Sequence, residues 1–464
     1  MGGLSRRAYL IETLSKNSAT NLLLDSGNIL FSSNNSSNVR TQDLLTADAI
    51  LNIYNTMEYT AMAVGPLDLT GGIEYLRESV LKGSPWVSAN IMTADNEPFF
   101  PPWIIQQTSN GKIGIIGITS YKAQLPEGFT ATTWQDVLPD HIKKLSGTCD
   151  FILLLSNLDD EQNANIAAKY PQLHLIISAN NRSGNKPPKL FNNTIITQTH
   201  TKGKYLGILK IDWSPELKIW ENTEQNTSTI IAKLEHDLQN QIVDLRRDIE
   251  KNKTAITMMT DQKKHLAAFS ANSNEQLTST FSYRFRALSS KITENSEISS
   301  LTAQLKKHIS KTNKKISKSQ VTRYTSSLQP PSHDNYIEFA GSKSCSTCHD
   351  KQYTAWENSD HARAYSTLEL KNQHYNLECL GCHVTHKMES NSIQNDDIYL
   401  LGLPKQLQSV TCESCHGPGK SHVDSLGQEN TFRTIDESVC RQCHTVKMDN
   451  TFNFNTALQH LSCK

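Results

Sequence analysis

The sequence predicts a multidomain chain with an N-terminal α/β domain at residues 1–220, a helical connector with one strand at 221–335, and a mostly helical or irregular C-terminal domain at 336–464. Three observations predict it. Short runs of Ile, Val and Leu recur through the first half, polar helix-forming sequence follows, and nine of the 10 cysteines come after residue 344. This concentration of cysteines indicates that prosthetic groups organise the C-terminal domain.

Composition excludes several classes of protein. The 464 residues carry 46 basic and 46 acidic side chains, so the formal net charge is +0 and no nucleic acid is expected as a partner. The longest apolar runs, such as Ile113–Ile118, fall far below the roughly 18–20 residues that cross a bilayer, so we expect no membrane span. The hydrophobic share of 37% is low for this length. Part of the chain therefore packs around something other than side chains.

Eight apolar runs predict the buried strands of the α/β domain, because runs of this length rich in branched residues are typical of strands covered on both faces. Arg6 and Arg7 are predicted on the surface of a first helix, since no apolar segment follows them to form an export signal. The eight runs are Asn21–Leu24, Ala61–Val64, Trp86–Asn90, Ile113–Thr119, Phe151–Leu155, Leu173–Ser178, Thr194–Gln198 and Tyr205–Asp212.

The connector has helical periodicity at both ends and one alternating strand. Leu234–Ile249 predicts an amphipathic helix or a short coiled coil, Phe281–Phe285 a half-buried strand, and Ile298–Ile309 a last helix. That helix runs into a basic stretch with no acid between Glu297 and Asp334, which we interpret as a solvated helix end; the alternative is a docking patch for an acidic partner. The basic residues are Lys306, Lys307, Lys311, Lys314, Lys315, Lys318 and Arg323.

The pentapeptide Cys-x-x-Cys-His occurs four times in the C-terminal domain. In this motif two thiols add to one haem and the histidine ligates its iron. Two structural zinc sites are the alternative, but zinc does not require a histidine after each pair. We therefore expect four covalently bound haem c groups, whose macrocycles replace an aliphatic core. The motifs are Cys345/Cys348/His349, Cys379/Cys382/His383, Cys412/Cys415/His416 and Cys440/Cys443/His444.

Five further histidines are candidates for the second axial position, and Met388 and Met448 are alternatives to them. Haem attachment predicts a periplasmic or extracellular protein, with the signal peptide missing from the given start. Cys149 and Cys463 are left over, and a disulfide between them is one alternative. The candidate histidines are His361, His374, His386, His422 and His460.

These motifs and their surroundings closely resemble the tetrahaem cytochrome c-554 family over roughly residues 336–464. The resemblance implies three bis-histidinyl haems and one five-coordinate haem. The segments that carry it are Gly341–His349, Trp356, His361–Ala364, Cys379–Thr385, and Cys412–Gly419 with His422.

The same resemblance implies the pairing of axial ligands. His422 would be the second ligand of the haem at Cys345/Cys348, His460 that of the haem at Cys412/Cys415, and His361 that of the haem at Cys440/Cys443. The haem at Cys379/Cys382 would be open. His386, which stands where the family usually has glycine, and His374 are the residues that could close it.

The N-terminal region resembles the calcineurin-like metallophosphatases of the 5′-nucleotidase type over roughly residues 2–215, which implies a β-sandwich with flanking helices. The residues at the family's metal-ligand positions differ: they are Asn28, Gly65–Asp68, Asn157 and Ala179–Arg182. We therefore expect a pseudophosphatase. The segments that match are Gly2–Arg7, Leu22–Gly27, Ser88–Ile91, Ile113–Ile118 and Gly203–Gly207.

Together these features predict an extracytoplasmic electron carrier that relays electrons between redox donor and acceptor proteins, with the phosphatase-like domain as a docking module. The alternative is a redox enzyme acting on a small nitrogen or sulfur compound at a five-coordinate haem. A phosphohydrolase is the third hypothesis.

Overall fold

The computed structural model describes residues 3–16, 20–33, 39–179, 184–213, 220–223, 260, 279–326, 338–386, 397–429, 435–445, 448–449 and 451–460, without the side chains of 319–326, 397–398 and 460. The chain divides into two compact units: unit 1 is Met1–Ser36 with Ile50–Ser299, and unit 2 is Ser37–Ala49 with Ser300–Lys464. The connector is thus shared between the units, and the three-domain division stays a prediction. The helix predicted at Leu234–Ile249 lies outside the described residues.

Helices and strands alternate in the described residues up to Ala287, and only helices follow after it. The helices are α1 Leu4–Ser15, α2 Thr41–Thr56, α3 Ile73–Leu81, α4 Trp134–Ser146, α5 Asp160–Lys169, α6 Ser296–Ser326, α7 Ser342–Cys345, α8 Asp350–Glu357, α9 Ala364–Leu370, α10 Leu377–His383, α11 Cys412–His416, α12 Lys420–Asp424, α13 Glu437–Arg441 and α14 Phe454–His460. Short 3₁₀ helices cover Asp68–Gly71, Asp397–Gly402 and Lys405–Leu407. The strands are β1 Leu24–Asp25, β2 Ala61–Ala63, β3 Trp86–Val87, β4 Ile91–Thr93, β5 Trp103–Thr108, β6 Gly111–Ile118, β7 Phe129–Ala131, β8 Phe151–Ser156, β9 Leu175–Ser178, β10 Lys186–Phe191, β11 Thr194–Gln198, β12 Tyr205–Asp212, β13 Trp220–Asn222 and β14 Ser279–Ala287.

All eight predicted runs overlap a strand, although Asn21–Leu24 shares only Leu24 with β1, and the sequence missed β4, β5, β7, β10 and β13. Two of these, β5 and β10, are the edges of a six-stranded sheet ordered β10-β11-β9-β8-β6-β5. Edge strands carry polar residues and proline because one side forms no ladder, and β10 contains Pro187 and Pro188. Their sequences therefore lack the continuous apolar run of an inner strand.

The core of unit 1 has two layers of contact, one on each face of the six-stranded sheet. On one face, β8 residues Ile152 and Leu154 pack with apolar side chains of α4 and α5. On the other, Leu153 and Leu155 pack with the parallel sheet β1-β2-β3. Gly117 on β6 faces the Val87 carbonyl so closely that a Cβ would not fit. This arrangement confirms the α/β fold with two packed sheets and flanking helices.

The predicted connector strand is confirmed as β14, and it belongs to unit 1. It pairs antiparallel with β12, from Tyr205 opposite Ala287 to Asp212 opposite Thr280, and parallel with β13. Phe281 of β14 is buried with the core residues between the sheets. The strand therefore extends the N-terminal fold beyond its predicted boundary at residue 220.

The prediction that Arg7 lies on the surface of α1 is wrong. Arg7 is buried, and its Nη1 donates to the hydroxyls of Tyr54 at 2.7 Å and Tyr59 at 3.2 Å. Tyr54 in turn donates to the Asp25 carboxylate at 3.0 Å. Nearby Asp25 and two hydroxyls compensate the buried guanidinium, which helical periodicity alone does not show.

Unit 2 consists of short helices around one apolar cluster and the long helix α6, which confirms the predicted last helix. The cluster includes Leu377, Leu380 and Val384 beside the second Cys-x-x-Cys-His motif. Among the described helices of the whole chain, none has the length and apolarity needed to cross a membrane.

Candidate haem sites

Each Cys-x-x-Cys-His motif lies on a helical turn. The second and third motifs are within α10 and α11, while Cys345 ends α7 and Cys440 lies in α13. The backbone N–H of His349 donates to the Cys345 carbonyl and that of His444 to the Cys440 carbonyl, both at 2.9 Å. Residues three apart share a helix face, so this turn points the two sulfurs of a motif to the same side.

The eight cysteines predicted to bind haem differ in their exposure. Cys348, the second cysteine of the first motif, is exposed, whereas Cys415, the second cysteine of the third motif, is half-buried like the other six. Cys348 is therefore accessible to solvent, whereas Cys345 is partly covered. Haem attachment at all eight cysteines stays a prediction.

Two pairs of histidines, distant in sequence, face each other. The ring centroids of His349 and His422 are 6.5 Å apart, and those of His361 and His444 are 6.2 Å apart. Two imidazoles on opposite sides of one metal ion, each with a metal–nitrogen bond of about 2 Å, have centroids about 6 Å apart. Both separations therefore fit an iron ion between the rings.

The outer ring nitrogens are held by other groups. The Nδ1 atoms of His422 and His383 lie 2.7 Å from the carbonyls of Glu429 and Ala364. His444 Nδ1 lies 3.1 Å from the Asp449 carboxylate. An N–H donated from Nδ1 fixes the tautomer in which Nε2 is free to ligate.

Burial favours the neutral form of His361, which is the form that ligates a metal ion. Burial lowers the pKa of His361, and the neighbouring His444 lowers it further, against a small opposite effect of Asp360. A neutral imidazole has a lone pair to offer a metal ion.

The third predicted pair, His416 with His460, is not described in full. His416 lies in α11 and His460 ends α14, but the His460 side chain lies outside the described residues. Of the alternative ligands, Met448 is 70% exposed and Met388 lies outside the described residues. Cys149 forms no disulfide within the described part of the chain, and Cys463 lies outside it.

His383 differs from His349 and His444, because no ring in the described part of the chain contacts it. His386 uses both ring nitrogens elsewhere: Nε2 lies 3.0 Å from the Gly381 carbonyl and Nδ1 lies 3.2 Å from the Tyr399 hydroxyl. His374 has a buried Nδ1 without a hydrogen-bond partner and a ring 4.4 Å from that of Tyr375.

Sulfurs from different motifs also meet. The side chains of Cys345 and Cys412 share a hydrogen bond, which raises the pKa of Cys345 and lowers that of Cys412 to about 6. In the same way Cys443 and Cys382 share a hydrogen bond, and the pKa of Cys382 falls to about 7. The first motif is thus adjacent to the third, and the second to the fourth.

Cys415 links the third motif to the fourth. It lies close enough to Cys443 for its charge to raise the pKa of that thiol, an effect smaller than those of the Cys382 contact and of burial. Because Cys412 of the same motif contacts Cys345, the third motif has cysteine neighbours in two other motifs. The predicted haem-binding cysteines therefore form a chain in the order first, third, fourth and second motif.

Two polar residues that sequence reasoning missed hold these motifs together. Glu413, buried inside the third motif, accepts from the backbone N–H groups of Ala340, Gly341 and Gly419, each at 2.8 Å. Thr385, just after the second motif, donates to the Ser409 carbonyl at 2.7 Å and accepts from the backbone N–H of Thr411. Bonds to backbone groups have no sequence signature.

The positions that correspond to phosphatase ligands also meet, in unit 1. Asn28 Nδ2 donates to Asn157 Oδ1 at 2.8 Å, and Asn28 Oδ1 accepts from the Leu67 N–H at 2.9 Å. A Cβ added at Gly65 would lie 2.6 Å from Asn28 Oδ1 and 2.7 Å from Asn157 Oδ1. The amides therefore fill the space and satisfy one another.

Asp68 is the acid of this group, and the backbone surrounds it. Its carboxylate accepts from the N–H groups of Asn28, Ile29, Leu30 and Gly65 at 2.7 to 2.9 Å. Burial nevertheless raises its pKa to about 6, against the lowering effect of these bonds.

Within the described residues, no group of three or more His, Cys, Asp or Glu side chains is arranged to hold a metal ion. The Asn28 region thus does not fit a dinuclear phosphatase centre, which needs several anionic or imidazole ligands around two ions. The described cysteine pairs likewise form no zinc site of three or more such ligands.

The C-terminal resemblance is confirmed by comparison with known proteins. Residues 344–417 match the family model described as cytochrome c554 and c-prime. Cytochrome c-554 of Nitrosomonas europaea is 32% identical over 99 residues, which cover 18% of this chain and 40% of that protein. The chain thus spans 40% of the length of this curated relative.

Solved structures similar to this chain include a sulfate thiohydrolase, a 5′-nucleotidase precursor and a calcineurin-like phosphoesterase. The sulfate thiohydrolase SoxB of Thermus thermophilus is 20% identical, with a TM-score of 0.41 over 46% of this chain and 40% of its own. A 5′-nucleotidase precursor from the same organism is 19% identical, with a TM-score of 0.41 over 46% of each chain. The calcineurin-like phosphoesterase YfkN of Bacillus subtilis is 16% identical, with a TM-score of 0.44 over 66% of this chain and 89% of its own.

Proposed function

We propose that this protein is a c-type cytochrome that carries electrons between redox donor and acceptor proteins in the periplasm or outside the cell. The observation that carries the proposal is the pair of facing imidazoles at iron-spanning separations, His349 with His422 and His361 with His444. Each member of a pair comes from a different part of the sequence, and one member of each follows a Cys-x-x-Cys pair.

Four haems would be held, one by each motif. The cysteines would form thioethers, and His349, His383, His416 and His444 would be the proximal ligands. His422, His361 and His460 would be the second ligands of the first, fourth and third motifs. The bound iron supplies one-electron redox chemistry, and the protein tunes it through ligand identity, outer hydrogen bonds and burial.

The sulfur contacts between motifs support a relay. Because Cys345 touches Cys412 and Cys382 touches Cys443, groups attached to these sulfurs would have neighbouring edges. Short edge separations favour electron transfer within the first–third and second–fourth pairs, and Cys415 near Cys443 joins the two pairs.

We propose that the N-terminal unit is a pseudophosphatase that serves as a docking module. The hydrogen-bonded amides of Asn28 and Asn157 support the loss of hydrolytic chemistry, since each would have to break a bond to bind an ion. A docking role is the remaining function we assign to this unit.

A second function is favoured by the environment of His383. No described ring faces it, and His386 is held by two hydrogen bonds. A haem at Cys379/Cys382 would then have one open axial position. Such a haem could bind and oxidise or reduce a small nitrogen or sulfur compound.

Haem content and spin state of the purified holoprotein test these proposals. We expect four haems per chain by the pyridine haemochrome assay, mostly low-spin by electron paramagnetic resonance, with one high-spin ferric signal that shifts on adding cyanide. Zinc in place of haem would overturn the cytochrome proposal. Four low-spin haems without cyanide binding would overturn the second function alone.

A further inference from the structure

Helix α6 presents a row of lysines to solvent. At 3.6 residues per turn, these side chains lie on one side of the helix and the buried Leu305, Ile309 and Asn313 on the opposite side. We call this row the α6 lysine face: Lys307, Lys311, Lys314, Lys315 and Lys318, all exposed.

Three lysines of the α6 lysine face have no counter-charge among the described residues. From residue 300 to 318 the helix contains no acid. Within the described part of the chain, Lys307, Lys311 and Lys315 form no ion pair. Lys314 lies 6.0 Å from the ring centroid of Tyr375, a contact that leaves its charge in place.

The buried side of α6 is anchored to the segment that leads into the second motif. Asn313 Nδ2 donates to the Tyr375 carbonyl at 2.7 Å and to Gln42 Oε1 at 2.8 Å. Gln42 Oε1 also accepts from the Leu377 N–H at 3.1 Å. Ile316 packs in the same apolar cluster as Cys379. The helix that carries the α6 lysine face therefore packs directly against the segment that carries the second motif.

Charge at this end of the helix reaches the motif itself. Burial raises the pKa of Cys379, and the ammonium of Lys306 acts against that rise. The neighbouring acid Glu378, which is paired with Arg40 at 2.6 Å, acts on Cys379 in the opposite direction and more strongly than Lys306.

We propose that the α6 lysine face docks an acidic redox protein, which exchanges single electrons with the haem at Cys379/Cys382. This inference rests on the proposed electron-carrier function. One electron would leave the reduced cofactor of the partner and would lower the oxidation state of the iron from +3 to +2. No covalent bond would form or break, and no proton would be transferred. The partner would be separated from the motif by about one helix diameter, roughly 10 Å.

An acidic protein fits this surface better than an anionic membrane does. Membrane-binding helices combine basic residues with large apolar side chains that insert between lipids. Apart from its lysines, the described part of α6 after residue 299 exposes Ser300, Ala303, Gln304 and His308, with no large apolar side chain among them. Charge alone is available, which favours a partner with a complementary surface.

The test compares electron transfer from reduced flavodoxin, an acidic protein probe, with that from a small neutral reductant. The variant is Lys307→Glu with Lys311→Glu and Lys315→Glu. The control, Lys82→Glu with Lys122→Glu and Lys143→Glu, changes the net charge equally at exposed sites of unit 1. Stopped-flow rates are measured with each holoprotein at low and high ionic strength.

We expect the α6 variant to react with flavodoxin about tenfold more slowly than the control at low ionic strength, and the difference to vanish at high ionic strength. Equal rates for variant and control would overturn the docking surface. So would loss of binding to phosphatidylglycerol vesicles in the variant with unchanged flavodoxin rates, which would indicate a membrane instead. A wild-type protein that the neutral reductant cannot reduce would overturn the carrier function itself.

Discussion

Side chains from distant parts of the sequence meet in both units, but they meet in different ways. In unit 1 the amides of Asn28 and Asn157 are 2.8 Å apart, donor to acceptor. In unit 2 the rings of His361 and His444 are 6.2 Å apart, with no hydrogen bond between them. The first separation is that of a hydrogen bond, whereas the second equals the span of two imidazole rings with one metal ion between them.

The surrounding groups show the same difference. His444 has its outer nitrogen bound to Asp449, an arrangement that orients a metal ligand. Asn157 instead donates a hydrogen bond from its amide nitrogen to the Ser26 carbonyl, and its amide oxygen accepts one from Asn28. The outer nitrogen of His444 is thus held as that of a metal ligand would be, whereas both polar atoms of the Asn157 amide form hydrogen bonds.

Removing the thiols of one motif should have the largest effect on unit 2. Cys379→Ser with Cys382→Ser removes both thioether links, so we expect the haem count to fall from four to three, as measured by mass spectrometry of the intact chain. Cys149→Ser is the control and should retain all four. Unchanged haem content in the double variant would show that the motif does not attach a haem.

Removing one facing imidazole should change a single haem. We expect His361→Ala to convert the haem ligated by His444 from low-spin to high-spin in electron paramagnetic resonance. His386→Ala is the matched control, because both nitrogens of His386 are already hydrogen-bonded, and it should leave every spin state unchanged. A new high-spin signal in the His386→Ala control alone would show that His386, and not His361, is an axial ligand.

The buried Asp68 should make the stability of unit 1 depend on pH. Its pKa is raised from 3.8 to about 6 in the folded chain, so the folded state favours the protonated form. The stabilisation is full below pH 4 and is lost as the pH rises towards 6, by at most about 3 kcal/mol. Asp68→Asn stays neutral, so the unfolding free energies of the wild type and this variant should diverge across that range.

Parallel stability curves for the wild type and Asp68→Asn would contradict the raised pKa. They would also weaken the distinction between the units, since a bound cation beside Asp68 would lower its pKa instead of raising it.

Breaking the amide pair should have the smallest effect. Asn157→Ala leaves the Ser26 carbonyl and Asn28 Nδ2 without their partner, so we expect a loss of about 2 kcal/mol in a denaturant titration. Asn110→Ala, at an exposed turn, should change stability by less than about 0.5 kcal/mol. Added manganese should leave the Tm of the wild type unchanged, and a rise would indicate that unit 1 still binds metal.

The inner strands and the haem motifs could be predicted from sequence because both depend on local patterns. Continuous apolar runs such as Phe151–Leu155 identify strands buried on two faces, and Cys-x-x-Cys-His is specific by itself. The edge strand β10 was missed because its prolines suit a strand paired on one side. Arg7 was misplaced because its compensation by Asp25, Tyr54 and Tyr59 depends on the tertiary fold.

Contacts between motifs were beyond sequence reasoning for a similar reason. Glu413 and Thr385 act through backbone groups far along the chain, and nothing in their immediate sequence marks those partners. The same local pattern also surrounds an exposed Cys348 and a half-buried Cys415, so the motif alone does not predict burial. The histidine pairs came from family resemblance, and their separations give that pairing physical support.

The position of Gln42 bears on how the haem-bearing unit can be made and moved. This residue lies some 300 positions before the first motif, yet its amide donates to Asn376 and its carbonyl accepts from Asn313 and Leu377. A recombinant fragment beginning at residue 300 would leave these groups unpaired. The haem-bearing unit therefore cannot be transferred as the C-terminal fragment alone. The segment around Gln42, which is synthesised early, completes the fold of this unit only after the C-terminal half has been synthesised.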